Sequence, residues 1–73
     1  SQNGCLMRSA QTLATMMDDG VVKRMDPEAA ARLVNGAALN AALWVAASNN
    51  PEQVVDKAID AFRWLVEGLK VSS

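Results

Sequence analysis

The sequence predicts an all-α chain: three helices forming part of an antiparallel helical bundle. Three observations carry this. The phrases Asp26-Pro27-Glu28 and Asn50-Pro51-Glu52 open two helices with the same device. Gly20 closes an earlier one. Apolar residues recur at helical spacing along all three segments.

The first helix is expected over residues 6–19. Leu6, Ala10, Leu13, Ala14 and Met17 recur at i, i+4, i+7, i+8 and i+11, which is one helical face. Met7 and Met16 lie off that stripe. These methionines read first as core filler, and second as an adaptable pocket wall. Gly20 stops the helix, and residues 21–25 form a connector.

The second helix is expected over 27–48 and the third over 51–70. In each, an Asx residue is placed to accept a hydrogen bond from an orphan N–H. Proline at the first helical position needs no donor there. The following Glu meets the positive end of the helix dipole. In the third helix Val54, Val55, Ala58, Ile59, Phe62, Leu65, Val66 and Leu69 form one broad stripe. Asp56 and Asp60 are spaced to pair with Lys57 or Arg63 on the solvated side. Trp64 lies among the polar residues, either a surface aromatic or a contact for another element. Gly68 interrupts the last turn, and residues 71–73 are expected to fray.

The second helix is different. Over residues 36–47 it is apolar on every side except at Asn40. A helix apolar all round is buried all round, and two neighbours from one short chain cannot cover it. Leu39 and Leu43 point nearly opposite Val34, Ala41 and Val45. Gly36, Ala37, Ala38, Ala41 and Ala42 let another helix approach closely. A surface of this helix therefore packs on something outside the three-helix unit, most economically a second copy across a two-fold axis. Buried there, Asn40 would need a hydrogen bond. An interhelical bond setting the register of the pair is the first reading, and a polar contact to a small ligand the second.

Composition removes several classes of function. The 73 residues make one small domain at most, and the absence of an initiator Met suggests a piece of something longer. A chain this short usually needs a disulfide, a metal or a partner. Cys5 is the single cysteine and there is no histidine, so neither an internal disulfide nor a zinc site is expected. Without histidine there is no Ser-His-Asp or Cys-His arrangement. Asp18-Asp19 and Asp56…Asp60 sit at a helix end and on a solvated face, not in a cleft. The reading is therefore a non-enzyme with no cofactor. A net charge of −1 argues against this segment gripping nucleic acid itself. The apolar run of the second helix is too short to cross a membrane. With no signal peptide visible, the cytoplasm is the expected compartment.

The longest phrase runs Asp26-Pro27-Glu28-Ala29-Ala30-Ala31-Arg32-Leu33-Val34-Asn35-Gly36-Ala37-Ala38-Leu39-Asn40-Ala41-Ala42-Leu43-Trp44-Val45-Ala46. It is followed by Asn50-Pro51-Glu52 and by Ala61-Phe62-Arg63-Trp64-Leu65-Val66-Glu67-Gly68-Leu69. In that order they resemble the C-terminal end of tetracycline-repressor-like (TetR) transcriptional regulators. Asp19-Gly20-Val21-Val22 is similar to that family's connector before the long helix. Trp64, where a polar residue is common, and Asn49-Asn50, where acidic residues are common, depart from the pattern.

The resemblance implies an effector-binding and dimerisation domain whose last two helices pair with a second subunit as a four-helix bundle. It implies an upstream helix-turn-helix, absent from these residues, as the only contact with operator DNA. It implies a homodimeric repressor released by a small hydrophobic effector. On that basis Leu33, Ala37, Asn40, Trp44 and Met17 are expected in the effector-pocket wall. Gly36, Leu39, Leu43, Ala47, Phe62, Leu65 and Leu69 are expected at the dimer interface. The alternative is a stand-alone helical self-association module with no DNA-binding role.

Overall fold

The computed structural model describes residues 2–72, and side chains from Gly4 onward. It contains α1 (Gln2–Asp18), α2 (Pro27–Ala47) and α3 (Pro51–Glu67). The all-α expectation holds. Helix α1 starts earlier than the periodicity indicated, because no proline or cap interrupts residues 2–5. Cys5 consequently lies within the helix, exposed.

The stop after α1 is a Schellman motif. Gly20 has φ 78°. Its N–H donates to Met17 O at 3.1 Å, and Val21 N–H donates to Met16 O at 2.9 Å. The Arg24 guanidinium adds to the same end, donating to Asp18 Oδ1 at 3.0 Å. Helix α2 opens as expected, with Asp26 Oδ2 accepting from Ala29 N–H at 2.9 Å. Helix α3 does not. Asn50 makes no side-chain cap bond, and its backbone sits at φ −135°, ψ 71°. Its own N–H is taken by Ser48 Oγ at 3.0 Å, which turns the residue away from the extended geometry a capping side chain requires.

Helix α2 packs against both α1 and α3, whereas α1 and α3 make no close approach to each other. The Cα extents are 42 × 34 × 12 Å. The short dimension is well under half of either of the others. The chain is a flat layer in which α1 and α3 each pack on α2 and not on each other. Its radius of gyration is 13.8 Å, against about 11 Å for a compact chain of this length.

Apart from Ala58, buried between α3 and α2, the core lies at one end of the layer. Met17, Val22 and Ala30 are buried together, with Leu13, Met16, Met25 and Leu69 packed around them. The tail also closes here. Val22 and Lys70 form an isolated antiparallel bridge. Lys23 N–H donates to Leu69 O at 2.8 Å, and Val71 N–H donates to Val21 O at 2.9 Å. Val71 is therefore tied down where fraying was expected; Ser73 lies outside the described residues. The third helix ends at Glu67, short of the expected Lys70, because the chain turns through Gly68 and Leu69 and Lys70 pairs with Val22.

Candidate functional site

The open sides of the α2–α3 pair are the features a partner or ligand can use. Ala41, Ala58 and Phe62 form the seam of the pair and line grooves on both sides of it. Alanine is why the seam is close: it keeps two helix backbones near each other without a bulky side chain between them.

On one side lies an open groove of about 530 Å³. Ala38, Ala42, Val45 and Ala46 of α2 face Val55 and Ile59 of α3 across it. Arg63 stands at its edge, paired with Asp60 at 2.8 Å. Asp56 and Lys57, the other expected charge partners, form no such pair. Ala31, Asn35, Ala38 and Ala42 share one stripe of α2. That stripe meets α1 first, where Asn35 Nδ2 donates to Ser9 Oγ at 3.4 Å. It then continues, uncovered, into the groove.

On the other side, Ala37, Asn40 and Trp44 share a furrow of about 280 Å³ with Ala61 and Leu65. Leu33 and Ala37 share a second, about 230 Å³, with Leu65, Val66 and Leu69. Beyond the furrows α2 continues as an exposed apolar arc. Leu33 is 75% exposed, Leu39 57%, Leu43 59% and Trp44 49%, with Leu65 of α3 at 63%.

The expected pocket-wall residues are thus distributed unevenly. Leu33, Ala37, Asn40 and Trp44 share a surface with Phe62 and Leu65, which were expected at the dimer interface. The two sets form one continuous surface rather than two. Met17 is apart from them, 4% exposed in the core. Asn40 is exposed in the single chain. Gly36 and Ala47 lie exposed on the arc, Phe62 is half-buried in the seam, and Leu69 is half-buried against the core. Trp64 is exposed, as its polar neighbours suggested. The alanine groove was not singled out from the sequence. Its signal was the Ala31–Asn35–Ala38–Ala42 stripe, which reads simply as small residues until α1 is seen to cover only its beginning.

No grouping of His, Cys, Asp and Glu among the described residues has the makings of a metal site. No described helix is long and apolar enough to cross a membrane.

The family described as "Tetracyclin repressor-like, C-terminal domain" matches residues 1–69. The chain belongs to that family. No curated protein and no solved structure matches it. As a TetR-like C-terminal domain, it is the ligand-binding and dimerisation part of a transcriptional regulator. The family is not generally enzymatic. In this TetR-like domain the grooves beside the α2–α3 seam are lined mainly by apolar side chains.

Proposed function

We propose that this domain pairs two subunits of a homodimeric TetR-like repressor and carries part of its effector-binding surface. One observation supports the pairing above all: the chain is a flat layer, and its central helix is apolar on the side that no helix of the chain covers. The chain exposes 5560 Å², against about 4,400 Å² for a globular monomer of its mass. The surplus, roughly 1,200 Å², exceeds the ~800 Å² per partner of a standard interface.

In this reading Leu33, Gly36, Leu39, Leu43, Ala47, Trp44 and Leu65 meet the same residues of the second subunit. Asn40 lies within that face, where an amide pair across the two-fold axis fixes register. The alanine groove on the opposite side, with Phe62 at its floor, takes the small hydrophobic effector. Effector binding shifts a rigid-body equilibrium between subunit arrangements. That equilibrium sets the spacing of two DNA-binding heads, each a helix-turn-helix encoded upstream. The regulator acts in the cytoplasm, where its operator lies.

Sedimentation equilibrium of the chain tests the pairing. A dimer is expected, and a monomer from micromolar to millimolar concentration removes the pairing face. The reading frame tests the rest. A helix-turn-helix is expected in frame upstream, and a frame confined to these residues removes the repressor role.

A further inference from the structure

At one end of the layer the segments that follow α1 and α3 come together. At this closed end the tail after α3 reaches back to the connector after α1. Leu69 packs against the Met17–Val22–Ala30 core. Two backbone bonds, Lys23 N–H to Leu69 O and Val71 N–H to Val21 O, flank the Val22–Lys70 bridge. The helices α1 and α3 themselves make no close approach.

This geometry places a tie at the C-terminal end of α1. Along its length α1 packs on α2, with Leu13, Met16 and Met17 against Ala30, and Asn35 Nδ2 donates to Ser9 Oγ at 3.4 Å. Its C-terminal end is held by backbone bonds as well. The carbonyls of Met16 and Met17 are bonded in the Schellman turn, and the next residues are bonded to the tail. A two-residue bridge is too short to be a sheet. Its position makes it a tie between the α1–α2 connector and the end of α3.

We propose that residues 69–71 are a strap that fixes the angle of α1 against the α2–α3 pair, with the closed end as hinge. With the strap in place, a displacement of α1 is carried to the end of α3. Without it, the angle between α1 and α3 is set only by the separate packing of each on α2. The strap is a property of one protomer and does not depend on dimerisation or on an effector.

Hydrogen exchange of the unmodified chain is the first test. The Lys23 and Val71 amides should exchange about tenfold or more slowly relative to free peptide, the protection expected of one net backbone bond. Exchange of both at the free rate overturns the strap. The second test measures the angle between α1 and α3. A spin label on Cys5 in α1 and one on Asp56→Cys in α3 report the distance between the helices, with the labelled chain diluted into unlabelled chain to suppress contacts between copies. Val71→Pro removes the N–H that bonds Val21, whereas Val71→Ala keeps it. A chain ending at Lys70 removes the donor without adding a proline. The distance distribution should broaden in Val71→Pro and in the shortened chain, and match the parent in Val71→Ala. Identical distributions in all of them overturn the proposal.

Discussion

Replacing Leu43 with aspartate should separate the subunits while leaving each folded. Leu43 keeps 59% of its surface in the single chain. Full burial of a leucine is worth about 1.5–3 kcal/mol, so covering the rest contributes roughly 1–2 kcal/mol in each protomer. A two-fold axis presents the residue twice, giving about 2–4 kcal/mol per dimer. At about 1.4 kcal/mol per decade, this weakens the dimer by roughly 30- to 1,000-fold. Desolvating a carboxylate adds to that loss. The folded protomer should lose only about half a kcal/mol of helix propensity, because Leu43 touches neither the core nor the α2–α3 seam. Sedimentation equilibrium measures the first quantity and far-UV circular dichroism monitors the second. An unchanged dissociation constant in a folded Leu43→Asp chain would refute the assignment of this arc to the interface.

The other predictions concern the caps, the turn and the one polar residue of the arc. Asp26→Ala should cost about 1 kcal/mol in urea unfolding through its lost N-cap. Asn50→Ala should be close to neutral, and equal losses would contradict the capping geometry. Gly20→Ala should cost about 1–2 kcal/mol. Since nothing lies within 4 Å of the added methyl, the penalty is conformational, and Gly20→Asn should recover part of it in the same assay. Asn40→Leu should tighten self-association while allowing species beyond the dimer, by analogy with polar residues that set register in coiled coils. A single dimeric species with unchanged affinity would remove the register role.

The parts of this fold governed by local chemistry could be read directly. Asp26-Pro27-Glu28 announced α2, Gly20 announced the stop of α1, and the stripe of α3 needed only a period of about 3.6 residues. The failures are places where a distant segment decides. Asn50 has the same sequence context as Asp26, but Ser48 captures its N–H first. Val71 has nothing local to order it, and is held by a carbonyl contributed by Val21 on the far side of two helices. The candidate faces were partly legible. The excess of apolar residues on α2 indicated an outside partner, but a wheel cannot say which flank α3 occupies. Leu33 and Trp44 therefore read as separate from Leu65 until the furrows joined them.

A layer 12 Å thick also changes what folding means for this chain. When burial is completed by a second molecule, mass action enters the stability of the fold itself. The melting midpoint should rise with protein concentration, and a midpoint independent of concentration would show that one chain holds itself together. Leu39 and Leu43, exposed in one subunit, would then raise the melting midpoint of the dimer while adding little to that of the single chain. A cell that makes little of this protein would hold a larger fraction of it unassembled, and abundance would become an input to regulation alongside the effector.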